Sequence, residues 1–105
     1  MDDLVEIVKN SILKGFDDTI SLVDACILDL DAAIHIKHIQ FLETIKNVLS
    51  LSRKFYIRGG LTDSEAHSIT LNTDQALLFI FSDKLLESLR CIDNMKAIIN
   101  SKMDM

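Results

Sequence analysis

Asp31, His35 and His38 are spaced by about one helical turn, so on a helix their side chains share a face. An acid and two imidazoles so placed can converge on a divalent cation. Solvated side chains on a basic helix are the plainer account, and no HExxH or paired CxxC accompanies them. His67 lies in Glu65-Ala66-His67-Ser68. An exposed imidazole on a helix beside a cation can accept a phosphoryl group, and a helical histidine without chemistry is the competing account. The segment Arg53-Lys54-Phe55-Tyr56-Ile57-Arg58 interleaves bases with aromatics. Its basic patch, Arg53, Lys54 and Arg58, can meet RNA phosphates while the rings stack on bases. The same residues also suit the last turns of a helix: the bases face the negative end of the dipole, and Phe55 and Ile57 pack inward. Cys26 and Cys91 sit in apolar helical stretches and form no close pair, as free buried thiols do in a reducing compartment. There is no Gly-rich phosphate loop, nucleophile elbow or motif-spaced carboxylate pair. The chain is therefore expected to be no enzyme and to take no cofactor or metal.

The elements that must position these residues are helical. Val5, Val8, Ile12, Phe16, Ile20, Val23, Ile27, Leu30 and Ile34 recur at gaps of three or four, the step of one helix face. The spacing predicts an acidic helical region over 1–33, as one helix or two, with Gly15 tolerated or kinking it. A corner is expected at Asp29-Leu30-Asp31, with Asp31 as the next N-cap. A basic helix follows over 34–58, with its stripe at Ile34, Phe41, Ile45, Val48 and Phe55, flanked by Leu42 and Leu49. Gly59-Gly60 marks a stop and 59–61 a turn. Thr62-Asp63-Ser64-Glu65 reads as a capping box, with Leu61 and Ala66 at staple positions. The C-terminal helices span 62–101: a short one to about Leu71, then a long one from about Asp74 through Leu78, Phe81, Leu85, Leu89, Ile92, Met95 and Ile99. The run Ala76 to Phe81 is apolar on every side and is expected to be covered on both faces. The tail from Lys102 is expected to fray.

One domain spanning 1–105 fits this length, and 49% hydrophobic residues supply a core. The 3 glycines and the absence of proline argue against an all-β chain with many tight turns. The expected fold is an all-α antiparallel bundle of three long helices and one short, resembling a four-helix bundle or completed by dimerisation. Net charge is −5, which disfavours a nucleic-acid partner. Its distribution is uneven: 1–33 carry −6, 34–60 carry +4 and 61–105 carry −3. An acidic first helix and a basic second one suit antiparallel neighbours. No apolar run exceeds six residues, so no membrane partner is expected. The start, Met1-Asp2-Asp3, is unlike a secretory leader, and a cytoplasmic location is expected.

Ala66-His67-Ser68-Ile69 resembles the Ala-His-Ser-Leu stretch of histidine-phosphotransfer domains, which are acidic helical bundles of similar size. There the pattern continues with Lys and Gly; Thr70 and Leu71 stand here. Leu42 to Leu51 resembles the helix after the phospho-histidine in one class of sensor-kinase dimerisation hairpins, although His35 and His38 fall outside its register. These resemblances imply a phosphotransfer protein of a signalling relay, using His67.

The residues themselves favour a protein–protein interaction module: an adaptor, chaperone, assembly subunit or inhibitor that packs helix on helix. Its partner would be its own second copy, in a homodimer, or another helical protein. The interface candidates are Val8, Ile12, Phe16, Ile20, Phe79 and Phe81, each of which can also serve the core.

Overall fold

Residues 2–103 are described in a computed structural model and form four helices. These are α1 (Asp2–Asp29), α2 (Ile36–Ile57), α3 (Asp63–Phe81) and α4 (Leu85–Met103). No strand occurs among the described residues, so the all-α bundle expected from the periodicity is the fold.

α1 passes through Gly15 without a break, and Phe16 and Val23 bury completely on its inner side. The corner after Asp29 falls where expected, but Asp31 plays another part in it. Its carboxylate accepts the Ala33 amide at 2.9 Å, and its carbonyl accepts the His35 amide at 2.8 Å. Asp31 thus closes the turn, and α2 starts behind His35, which makes no side-chain cap bond.

α1 and α2 run antiparallel. Arg53 Nε donates to Asp17 Oδ1 at 2.7 Å, and Lys46 Nζ lies 2.7 Å from Asp24 Oδ1. The acidic and basic helices are therefore neighbours in opposite directions. The inner face of α2 is Ile39, Leu42, Ile45, Val48, Leu49, Ser52 and Tyr56, so the middle of the expected stripe with its flanking leucines is buried and the two ends differ. Phe41 and Phe55 are half-buried, while Ile34 and Ile57 are exposed rather than packed inward. A purely apolar template finds the middle of this face and misses Ser52. The Ser52 hydroxyl is satisfied by the Val48 carbonyl at 2.6 Å, so it can be buried where helices approach closely.

Gly59-Gly60 ends α2 as expected. Gly59 has φ +79, and the Gly60 amide reaches back to the Phe55 carbonyl at 2.8 Å. The capping box then starts α3: Thr62 Oγ1 accepts the Glu65 amide at 3.1 Å, and Glu65 Oε1 accepts the Thr62 amide at 2.9 Å. Leu61 and Ala66 are both buried in the core.

The C-terminal half divides differently from the sequence expectation. The helix expected to stop near Leu71 runs on to Phe81, making α3 and α4 equal at 19 residues each. Asn72 and Thr73 do not cap a new helix. They donate to the carbonyls one turn back, Ser68 at 2.9 Å and Ile69 at 3.0 Å. The break comes instead at Ser82-Asp83-Lys84. Asp83 takes φ +58, and the Lys84 amide bonds the Phe79 carbonyl at 2.8 Å, the same closure that glycine makes after α2. Aspartate is among the few residues that tolerate this region. α4 doubles back on α3, with Ser88 Oγ donating to the Ala76 carbonyl at 3.2 Å. The expected cover on both faces of Ala76 to Phe81 is absent: Ala76, Leu77 and Ile80 are buried, and Leu78 and Phe81 face outward. Lys102 is held in α4 by Glu65 at 3.0 Å rather than frayed; residues 104–105 of the expected tail lie outside the described residues.

α1 packs on α2 and α3, and no Cα of α1 comes within 8 Å of one in α4. It is also too long for its neighbours. With Asp17 opposite Arg53, the end of α2 at Ile57 lies level with about Leu13. Every residue from Asp3 to Ser11 is exposed. This arm stretches the molecule to 50 × 27 × 18 Å, with a radius of gyration of 14.3 Å. A compact chain of this length has about 13 Å.

The Asp83 turn is testable by denaturant unfolding. Asp83→Ala is expected to lose about 1–2 kcal/mol, since alanine lacks aspartate's tolerance of positive φ. Asp83→Gly is expected to stay within about 1 kcal/mol of the natural chain. Equal losses in the two variants would show that the φ value is not what the position demands.

Candidate functional site

The three residues of the suggested cation site do not converge. Asp31 is spent on its turn, and His38 Nε2 pairs with Asp83 Oδ1 at 2.9 Å, across to the start of α4. The His35 and His38 rings stand edge to face with centroids 5.3 Å apart. Among the described residues no group of three or more His, Cys, Asp or Glu side chains is placed to hold a metal ion.

His67 is exposed on α3, beside a shallow groove against α1 lined by Ser11, Ile12, Gly15, Ala66 and Thr70. None of these five carries a charge, so the groove supplies no cation for a phosphoryl group. Thr70 Oγ1 is engaged with the His67 carbonyl at 2.9 Å.

The basic-aromatic segment is sorted by helix periodicity. Arg53 is bound to Asp17, with Lys54 and Arg58 exposed. Tyr56 is buried against Phe16, ring centroids 6.2 Å apart, and Phe55 packs where Gly60 leaves room. The bases thus face water, but no ring stands free beside them for a nucleobase. The Tyr56 hydroxyl donates to Asp63 Oδ1 at 2.8 Å. Burial, and then this bond to a carboxylate, push the phenol up to about 12.

Of the six interface candidates, Phe16 is a fully buried core residue. Ile12, Ile20 and Phe79 are half-buried against the core. Val8 and Phe81 are exposed, at opposite ends of the α1–α3 face. Phe81 joins Leu22, Cys26, Leu77 and Leu78 in an open apolar groove of about 390 Å³. Cys26 and Cys91 are both free. Burial, with Asp29 nearby, raises the Cys26 thiol, which disfavours its thiolate form.

Sequence reasoning overlooked a different set: Leu4, Ile7, Leu22 and Leu28, all exposed. The signal was available. On a 3.6-residue repeat Leu4, Ile7 and Leu28 lie away from the stripe that carries Phe16 and Val23. A count of apolar residues does not separate the two faces; their phase does. No protein-family model, curated protein or solved structure matches the chain.

Tyr56 is the chain's one tyrosine, so phenolate absorbance reports it directly. In the folded protein it is expected to titrate near 12. In urea it should titrate near 10. Because the folded value is the higher one, the stability it contributes is complete below about pH 10 and lost as pH rises through about 12. Tyr56→Phe should cost about 1 kcal/mol at neutral pH and abolish that alkaline component. A folded titration midpoint near 10 would show that Tyr56 is open to water.

Proposed function

We propose that this protein is a non-enzymatic protein–protein interaction module that acts by helix-on-helix packing. One observation carries the reading: the first turns of α1 project beyond both neighbouring helices with apolar side chains bare. Leu4 and Ile7 are each 63% exposed, and Val5 and Val8 are exposed with them. Single exposed apolar residues are ordinary. Four within five positions on an already formed helix make a contiguous patch of the kind that marks an interface. The helix is ordered in advance, so a partner helix meets it without the cost of folding a disordered segment. The Leu22, Leu78 and Phe81 groove extends the apolar surface along the α1–α3 side, and Leu78 is 70% exposed.

Site-specific photo-crosslinking in living cells tests this. A photoreactive residue replacing Ile7 is expected to give an adduct of discrete mass, either twice the chain or the chain plus one other protein. The same residue at Ala97, exposed on α4, is expected to give none. Val8→Asp should abolish the adduct while changing fold stability by no more than about 0.5 kcal/mol, since the position is outside the core. Absence of any Ile7-dependent adduct, or an adduct indifferent to Val8→Asp, overturns the reading.

A further inference from the structure

The face of α1 turned away from the core sets apolar Leu4, Ile7, Ala25 and Leu28 towards its two ends and polar Ser11, Lys14, Asp18 and Ser21 between them. Leu4, Ser11, Asp18 and Ala25 repeat at seven residues, and Ile7, Lys14, Ser21 and Leu28 repeat at seven in the alternate position, three residues on. All eight are exposed, Leu28 at 85%. This is the 3.5-residue spacing of a two-stranded seam. α2 and α3 flank this face, Leu28 bordering Glu43 and Lys46 of α2 and Ser11 bordering Ala66 and Thr70 of α3, and all eight side chains stay exposed between them.

We propose that the occupant of this face is a second copy of the chain, with the two α1 helices antiparallel about a two-fold axis near Phe16. This rests on the interaction-module reading and names its partner. The order of residues along the stripe carries it. Antiparallel pairing sets the first heptad series against the second, and the stripe is complementary to its own reverse. Leu4 meets Leu28 of the partner subunit, and Ile7 meets the partner's Ala25. Ser11 meets the partner's Ser21, and Lys14 meets the partner's Asp18. The two-fold axis repeats all four layers. The apolar layers fall at the two ends, and opposite charges meet at the centre.

The same charges reject the other orientation. A parallel pair would stack Lys14 on the partner's Lys14 and Asp18 on the partner's Asp18, two like-charge layers. Within one protomer Lys14 Nζ and Asp18 Oδ2 are 3.8 Å apart and both largely exposed, so each is free to turn to a partner. Of the acids that flank the seam, Asp17 and Asp24 near its middle are paired with Arg53 and Lys46, and Asp3 and Asp29 lie at its ends. On the other flank lie Val8, Gly15 and Leu22. With no side chain of its own and nothing within 4 Å of where a Cβ would sit, Gly15 leaves the middle of the seam open to close approach. The polar centre fixes register at a cost in strength. One helix pair also belongs with the smaller specific interfaces, below about 1,200 Å². The expected dimer is therefore reversible, in the micromolar range.

Sedimentation velocity over a wide concentration range tests the pairing, with circular dichroism confirming the fold of each variant. The natural chain is expected to pass from monomer to dimer. Lys14→Asp alone and Asp18→Lys alone should each weaken the dimer at least about tenfold, by setting like charges in the central layers. The double variant Lys14→Asp/Asp18→Lys should recover it. For register, Leu4→Cys and Leu28→Cys are made separately in a Cys26→Ser/Cys91→Ser background. Oxidation of the mixture should give a disulfide-linked dimer, and oxidation of either variant alone should not. A chain that stays monomeric throughout overturns the proposal, as does a dimer indifferent to the charge reversals. A single cysteine variant that cross-links as well as the mixture also overturns it. A monomer that still forms an Ile7 photo-adduct with another protein removes self-pairing and leaves the module reading standing. Loss of every such adduct removes that reading as well.

Discussion

The helices of this bundle are unequal in length, and most of its surface character follows from that. α1 has 28 residues where α2 has 22 and α3 and α4 have 19 each. At 1.5 Å per residue α1 is about 42 Å long and α3 and α4 about 28 Å. A common core can be only as deep as its shorter members. Phe16 and Val23 reach that core, and the turns before Ile12 cannot. In a bundle of matched helices Val5 and Val8, on the side of Phe16 and Val23, would be ordinary core residues, while Leu4 and Ile7 face outward in either case. Here they are set on a rigid rod held outside it.

The register of α1 is fixed by charge as well as by packing. Asp17 and Asp24 are seven residues apart and meet Arg53 and Lys46, also seven apart, so a slip of one turn breaks both pairs. Exposed pairs of this kind add little stability, typically below about 1 kcal/mol. Their effect is to specify one antiparallel alignment, and that alignment determines how far the arm projects. The uneven charge of the sequence thus has a structural use within the chain.

Local signals in the sequence were legible and non-local ones were not. Gly59-Gly60 and the Thr62–Glu65 box were readable because each closes its own hydrogen bonds within a few residues. Asn72-Thr73-Asp74 uses similar residue types but turns them back onto the preceding turn of α3. Composition alone does not distinguish a cap from such a back-bond. Asp83 was missed for the complementary reason: it takes the left-handed turn that glycine usually marks, within a stretch whose apolar spacing runs on unbroken. The last turns of the inner face of α2 were misread because Ser52 and Tyr56 belong to it in place of Phe55. Whether a polar side chain can be buried depends on a partner such as the Val48 carbonyl or Asp63. The candidate chemistry failed to assemble on similar grounds. Asp31, His38 and Arg53 have the right types for a site, but each is committed to a structural contact.

That commitment of polar groups shows where binding energy is left over. Among the described residues no buried side-chain nitrogen or oxygen lacks a hydrogen-bond partner. The interior has satisfied itself, and what remains uncovered is apolar surface, much of it on α1. Fully burying an aliphatic side chain contributes about 1.5–3 kcal/mol. In the proposed pairing Leu4, Ile7 and Leu28 of each protomer make six such side chains, each already partly covered by its own helix. At about half value they supply on the order of 5–9 kcal/mol. Association costs about 4–15 kcal/mol in lost freedom. The two quantities are of the same size, so small changes at the centre of the seam decide between monomer and dimer. A helix face balanced in this way suits an assembly that must come apart again, because its strength can be altered at Lys14 and Asp18 without touching the core.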